Sequence, residues 1–559
     1  MIKRLFAVVA VAVLMFPVRA QLIAEWGSTD IRYPESFGAV VLPGSVNSVT
    51  AWRGERINLQ LLVSNRQDYP TMPMRDREVS YRFSDLKNGR SVIPAANVVG
   101  GFVQHVITDK FTGCGKHEVD AYGENLVADR ITDTNPIVIR MNNYRGLWLT
   151  VQVPQDAKPG TYKGYVELTC EGKKTKYRYT VKVLDRTLPA PAEWKFHLDL
   201  WQNPYAIARV HNVELWSKEH FDVMRPYMLK LASAGQKAIT ATLIDRPWDG
   251  QTYDPFGTMV TWVKKADGTW WYDFTVFDRW VEFMMECGIS KEITCFSMIP
   301  WKLSFRYYDQ ATHSHKYINC APGEEAYAVF WGGMLSAFAG HLKEKGWFEK
   351  TFISMDERSQ QQMQAAIKVI KEYAPGLKIS MAGNYHPEIE ADIHDYCLDI
   401  FAYGAYTPGL LARRRAEGKV STYYTCCSAE YPNLFTFSAP ADAEFIALEA
   451  LAKDLDGYLR WGYNSWTVTP EEDSRFTAWP AGDTYVIYPF RVSSIRWERL
   501  VQGIQLFEKY KILLAEAKSN GNKARVEELE QLLKTIDIKK ISTDSEKIVN
   551  NFRDGLNRM

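Results

Sequence analysis

The stretch "KTFISMDERSQQQMQ", Lys350 to Gln364, is the one on which the fold turns. Thr351 to Met355 is an apolar run of strand length. From Ser359 onward a helical pattern begins, with Met363, Ala366, Ile367 and Ile370 at i, i+3, i+4 and i+7 on one apolar face. Pro375-Gly376 ends that helix. Between strand and helix stand two neighbouring acids, Asp356 and Glu357. Acids just ahead of a helix suit its positive end. Acids at the carboxyl end of a strand in a parallel barrel stand where such barrels do their chemistry. The choice depends on whether the strand–helix unit recurs.

It does. Short β-like runs fall at Lys195–Leu198, Ala238–Leu243, Glu292–Phe296, Thr351–Met355, Lys378–Met381, Leu398–Ala402, Val420–Thr425 and Gly457–Arg460, with helical patterns between most of them. The second and third connections are long and irregular. This alternation predicts a central (β/α)8 TIM-like barrel over residues 191–510. Ahead of it, 21–190 reads as an all-β sandwich. In "LWLTVQV" Leu147, Leu149, Val151 and Val153 alternate with Trp148, Thr150 and Gln152. In "YRYTVKV" Tyr177, Tyr179, Val181 and Val183 alternate with Arg178, Thr180 and Lys182. Both predict half-buried strands. "LPAPAEW" links the two regions. Residues 511–559, including the amphipathic "KARVEELEQLLKTI", read as helices packing on the barrel.

The first twenty residues, "MIKRLFAVVAVAVLMFPVRA", read as a secretory signal peptide: Lys3 and Arg4, an apolar run from Leu5 to Phe16, then Val18-Arg19-Ala20 at the cleavage positions. The run is too short to span a bilayer. The expected mature protein is exported, periplasmic or extracellular, without membrane insertion. A net charge of +1 implies no nucleic acid or other polyanion as partner. Hydrophobic content of 46% suits a globular chain with large cores. The oligomeric state stays open. Among eight cysteines none has CxxC spacing. Cys287, Cys295 and Cys397 read as core residues. A Cys114–Cys170 bridge is conceivable, and the adjacent Cys426 and Cys427 read as ordinary thiols.

Adjacency constrains what the acid pair could do. A two-carboxylate retaining glycosidase holds its carboxyl groups about 5–5.5 Å apart, on opposite faces of the sugar. Neighbours on one strand end do not easily straddle a ring that way, but they can serve one side of it. This fits a 2-acetamido sugar whose acetamide oxygen attacks its own anomeric carbon. One acid then steadies the acetamide N–H and stays ionised. The other, its pKa raised, protonates the leaving oxygen and later activates water.

Aromatic and amide residues follow the other strands: Trp201 with Asp199 in "LDLWQN", Asn384 in "AGNYH", Tyr403 in "FAYGAY", and Trp461, Tyr463, Asn464 and Trp466 in "RWGYNSW". A sugar pocket wants a stacking ring and polar groups for acetamide and hydroxyls; rim packing is the plain alternative for each. "HSH" (His313, His315) lacks an acid partner. "HPEIEADIHD" (His386 to Asp395) matches no zinc spacing and reads as a solvated helical face. There is no GxSxG, HExxH or GxGxxG signature.

Met355-Asp356-Glu357 at its strand end resembles the catalytic pair of glycoside hydrolase family 123, the β-N-acetylgalactosaminidases. "NNYRGLWLTVQVPQDAKPGTYKGYVEL" (Asn142 to Leu168) resembles that family's N-terminal β-domain. "GDTYVIYPFRVSSIRWERLVQGIQLFEKY" (Gly482 to Tyr510) resembles the end of its catalytic domain. The resemblance implies retaining, exo-acting release of terminal β-linked N-acetylgalactosamine, with no metal or other cofactor. It assigns Asp356 as acetamide stabiliser and Glu357 as general acid/base. Two alternatives stand beside it: a two-carboxylate retaining glycosidase with a distant nucleophile such as Glu498, and a non-catalytic carbohydrate-binding protein.

Overall fold

A computed structural model describes residues 22–36, 46–65 and 75–559. The leader lies outside them. The strand of the opening stretch is one of eight. β1 (His197–Leu200), β2 (Ala238–Thr242), β3 (Glu292–Phe296), β4 (Thr351–Met355), β5 (Lys378–Gly383), β6 (Asp395–Asp399), β7 (Val420–Tyr424) and β8 (Gly457–Arg460) form one parallel sheet in the order β1-β8-β7-β6-β5-β4-β3-β2. An α-helix follows each of them but β5, whose connection holds only the short 3-10 turn Glu390–Asp392. The two edge strands meet through a parallel bridge between Leu198 and Gln236, with Lys237 N–H donating to the Leu198 carbonyl at 2.9 Å. The barrel is therefore nearly closed, with its seam at β1/β2. The apolar stripe of the helix Gln360–Tyr373 is buried as its spacing predicts: Met363, Ala366, Ile367 and Ile370 all lie in the core.

Two strands are offset from their expected positions, β1 starting two residues later and β6 three residues earlier. β1 begins at His197 and β6 at Asp395, because buried charged residues, which carry no apolar signal, open both strands. Asp199 consequently lies within β1, inside the barrel, and not beyond its end. Glu390 of "HPEIEADIHD" is not solvated either. It is buried and ion-paired to Arg414 at 2.7 Å. The irregular second and third connections contribute hairpins that join in a four-stranded sheet of Trp270–Asp273, Thr261–Lys264, Ser304–Asp309 and Ser314–Asn319. His313 and His315 are exposed on it.

The N-terminal region is a sandwich of two sheets. Arg56–Ser64, Tyr144–Gln152 and Val98–Thr108 run through one; Lys173–Thr187, Gly160–Cys170 and Arg77–Phe83 run through the other. "YRYTVKV" alternates as predicted, with Tyr179, Val181 and Val183 inside and Arg178 and Lys182 outside. "LWLTVQV" is buried on both faces, Trp148 and Thr150 included. Its second face meets the long helix Ile495–Ser519, where Arg56 pairs with Glu498 at 2.6 Å and Asn58 donates to Gln502 at 3.0 Å. That helix also reaches the barrel through Arg499 and Glu444, 2.8 Å apart on the next helix, Pro440–Ala452. It runs on past position 510, and Lys523–Leu533 and Ile541–Arg558 complete the C-terminal layer, with Leu529, Val549 and Phe552 in the barrel's core. Just before it, Ser493–Ser494 pairs with Arg130 and Ile131, sewing the barrel's last connection into the sandwich. Among the described residues no helix is long and apolar enough to cross a membrane.

Candidate active site

All of Thr351–Met355 is buried, so β4 delivers Asp356 and Glu357 to the carboxyl end of the barrel. Neither acid caps the helix that follows. Ser359 does so, its hydroxyl accepting the Gln362 N–H, and the first turn holds no acid. The capping explanation for the pair is thereby removed. Asp356 is buried, only 8% exposed, and its Oδ2 accepts the Trp248 indole N–H at 2.6 Å. Among the described residues no group hydrogen-bonds Oδ1. Glu357 is exposed to the mouth and accepts the Tyr424 hydroxyl on Oε1.

Both acids line one pocket of about 330 Å³, at the small end of the range for ligand sites. Its walls are largely indole. Trp201 and Trp248 stack at 4.8 Å, and both pack on Phe296. Arg358 lies 4.1 Å over Trp301 and donates to the Ile299 carbonyl, so the residue after the acid pair holds one wall in place. Trp461 meets the edge of Trp479, whose N–H donates to the Gln251 carbonyl at 2.8 Å. Beneath them Arg460 and Asp483 form a fully buried pair at 2.7 Å that fixes the loop after β8.

The sandwich supplies the last wall. Its loop around Cys114 reaches the barrel mouth, with Gly115 N–H on the Ala478 carbonyl and His117 N–H on that of Thr477. Cys114 is bonded there to Cys427 across 313 residues of sequence, and both line the pocket. This replaces the conceivable Cys114–Cys170 bridge and the reading of Cys427 as an ordinary thiol; Cys170 is free and buried, and Cys426 is a free thiol beside the bridge. Cys287, Cys295 and Cys397 are buried, as expected.

Of the sequence-predicted ligand residues, Trp201 and Trp461 line the pocket with the acid pair. The others do not. Asn384 is exposed outside it, its carbonyl accepting the Tyr396 hydroxyl. Tyr403 turns toward the helix Pro440–Ala452 and donates to Glu449 at 2.6 Å. Tyr463, Asn464 and Trp466 are fully buried and structural. Tyr463 donates to the Tyr227 carbonyl at 3.0 Å, Asn464 to that of Asn203 at 2.8 Å and Trp466 to that of Ile487 at 2.7 Å. The density of rings in "RWGYNSW" is therefore mostly core. Glu498 sits at the sandwich–helix junction with Arg56, Ser493 and Thr150, not in the pocket. Sequence reasoning missed Trp248, Trp301, Trp479, Tyr424 and Asp399. The first three stand in irregular connections without periodic signal. Tyr424 and Asp399 end β7 and β6, and a search of all strand ends would have found them.

The electrostatics differ from the expectation that the raised pKa falls on the proton donor. Burial pushes Asp356 up to about 7; the Trp248 N–H pulls it down and the charge of Glu357 adds to the rise. Asp399, whose Oδ1 accepts the Phe401 N–H at 2.8 Å, is raised by burial and by Glu357. Burial, then the carboxylate of Glu357, holds the Tyr424 hydroxyl protonated far above its ordinary range.

An indole-walled pocket at the carboxyl end of a (β/α)8 barrel, with paired acids on one strand end, suits a glycoside hydrolase, and the family match makes the chain one. The chain belongs to glycoside hydrolase family 123. Residues 201–513 match the model of that family's catalytic domain and residues 26–170 that of its N-terminal domain. It is similar along nearly its whole length to a family 123 glycoside hydrolase from Clostridium perfringens, studied for glycolipid glycan hydrolysis. Identity is 25% and the TM-score 0.85, over 96% of this chain and 98% of that one. Two other solved structures are far more distant and carry no weight: a termite-gut GH10 xylanase with a bacterial Ig-like domain (11% identity, TM-score 0.32, 83% and 100% covered) and the Parabacteroides merdae β-glucuronidase (9%, 0.29, 88% and 52%). No curated protein matches.

Proposed function

We propose that this glycoside hydrolase is an exo-acting, retaining β-N-acetylgalactosaminidase that uses the 2-acetamido group of terminal β-linked GalNAc, on glycans or glycolipids, as its nucleophile. The observation that carries the reading is that Asp356 and Glu357 share one pocket and stand in different environments. Asp356 is buried with Oδ2 tied to Trp248 and Oδ1 free of protein donors, so an acetamide N–H can occupy Oδ1. As the acetamide oxygen attacks C1, positive charge develops on the nitrogen. That charge favours the carboxylate and offsets the burial that raises its pKa in the sugar-free site. Glu357, at the open side, gives its proton to the departing glycosidic oxygen as the C1–O bond breaks. In the second half it takes a proton from the water that attacks C1, the oxazolinium C–O bond opens and the acetamide is restored. Two inversions leave the configuration retained. Tyr424 stays a hydrogen-bond donor throughout, steadying Glu357 when it is anionic. The galacto preference is supported by the family resemblance alone, and the glycolipid class by the glycolipid glycan hydrolysis for which the Clostridium relative was studied.

Hydrolysis of an aryl β-N-acetylgalactosaminide with competitive inhibition by GalNAc-thiazoline, a mimic of the oxazoline, is the expected result. Hydrolysis that the thiazoline does not inhibit would refute the substrate-assisted step. One observation supports a second reading. Asp399 is a third carboxylate in the pocket and could serve as the nucleophile of a two-carboxylate mechanism in place of Glu498. A 2-deoxy-2-fluoro glycoside would then label Asp399 covalently, whereas a substrate-assisted enzyme, deprived of the acetamide, forms no such adduct. We further propose export, from the signal-like leader and from the Cys114–Cys427 bridge, which fits an oxidising compartment.

A further inference from the structure

The opposite end of the barrel holds a group of side chains that hydrolysis does not use. His197, Glu292 and Asp395 are the first residues of β1, β3 and β6, so they converge on the floor, away from the acid pair. Their side chains are 4–7% exposed. His197 Nε2 lies 3.6 Å from Glu292 Oε2 and 3.5 Å from Asp395 Oδ2. One candidate ligand atom from each lies within 4.8 Å of the others. Among the described residues His197 Nε2, Glu292 Oε2 and Asp395 Oδ1 have no hydrogen-bond partner, only the long ion pairs just given, an expensive condition for buried polar atoms.

The separations are informative. They exceed the roughly 2.7–3.2 Å of a hydrogen bond. They come close to the edge of a tetrahedron around zinc, about 3.3 Å for ligand bonds of about 2.0–2.1 Å. A neutral imidazole and two carboxylates balance a divalent cation in charge, and imidazole favours zinc over calcium or magnesium. Asp199, also in β1 and held by Gln236 at 3.3 Å, adds a further acid to the same interior. Lys291 and Lys378 lend positive charge to Glu292, but neither hydrogen-bonds the three atoms. The location has a mechanical sense as well. β1 and β2 share a single backbone bridge, and the side-chain amides of Gln236 and Gln202 stitch the rest of the seam. β1 and β3 lie on the two sides of that seam.

We propose that His197, Glu292 and Asp395 bind one Zn²⁺ ion, which pins the amino ends of β1, β3 and β6 across the barrel's seam. The ion is structural and takes no part at the mouth, so it is separate from the metal-free catalysis that the family resemblance implies.

The test uses full-length protein without a metal-binding tag, produced in zinc-supplemented medium and assayed by elemental analysis. About one zinc per chain is expected, retained in Glu357→Gln and lost in Asp395→Asn and in Glu292→Gln, which preserve side-chain volume where His197→Ala would leave a cavity. Removing zinc with dipicolinate should lower the Tm of the wild type by several degrees, zinc should restore it, and neither treatment should move the floor variants. Zinc-free wild-type protein whose Tm does not respond to ZnCl₂ overturns the proposal, leaving an imidazolium between two carboxylates. Zinc that persists in both floor variants overturns it too.

Discussion

Replacing Asp356 with Asn should abolish turnover and stabilise the protein, and the gain should grow with pH. Burial holds the folded carboxyl at about 7 against an ordinary 3.8. The folded state therefore binds this proton more tightly than the unfolded chain does. The associated stability is present below pH 3.8 and is lost progressively as pH rises through 7. Complete loss corresponds to about 4 kcal/mol, with roughly two-fifths of it already gone at pH 5. The site is only 8% exposed, so screening by water discounts little of this. Asn cannot ionise and can keep the hydrogen bond from Trp248 on its carbonyl oxygen. In thermal melts the variant should exceed the wild type by about 1–2 °C at pH 5 and by about 3–5 °C at pH 8, for a catalytic unit of this size. The comparison is between variant and wild type at each pH, so titrating groups that do not interact with Asp356 cancel, while the charge of Glu357 is part of the shift itself. An advantage that stays flat or shrinks between pH 5 and pH 8 would refute the reasoning, as would full activity in Asp356→Asn.

Three further outcomes follow from the geometry. If ionised Asp356 is the working form, kcat/KM of the wild type should rise with pH through about 7. Trp248→Phe removes the N–H that lowers this pKa, so that limb should move to higher pH by roughly 1; an unmoved limb would detach Trp248 from the titration. Glu357→Gln should lose on the order of 10²-fold or more on natural glycosides but much less on aryl glycosides with activated leaving groups, which need little protonation. Equal losses in steady-state assays of both would count against its role as acid. Trp461→Ala should raise KM without a large fall in Tm. Trp466→Ala, a fully buried indole, should cost about 3–5 kcal/mol of stability; the reverse pattern in kinetics and melts would mean that the wrong Trp of the pair faces the sugar.

Hydrophobic periodicity is local, and what depends on it was legible. β4 and the helix after it, the alternation of "YRYTVKV" and the eight-fold repeat all follow from which residues must leave water together. The acid pair was legible too, since it stands at the end of a well-marked strand. β1 and β6 were misplaced because His197 and Asp395 open them with buried charge, a choice that makes sense only once the strands converge on one floor. "RWGYNSW" misled for a related reason. Past a strand end the backbone is irregular, and direction comes from packing: Trp461 turns into the pocket, while Tyr463, Asn464 and Trp466 turn away to satisfy distant carbonyls.

The sequence by itself determined the layers of this protein and the strand end that bears its acids, because apolar burial imposes periods of two and 3.6 on neighbouring residues. Only the tertiary structure decided the rest of the site. The Trp248 donor, the walls of Trp301 and Trp479 and the Cys114–Cys427 bridge join segments up to hundreds of residues apart. Their chemistry depends on distance through space and on exclusion of water, and neither is written in the spacing along the chain.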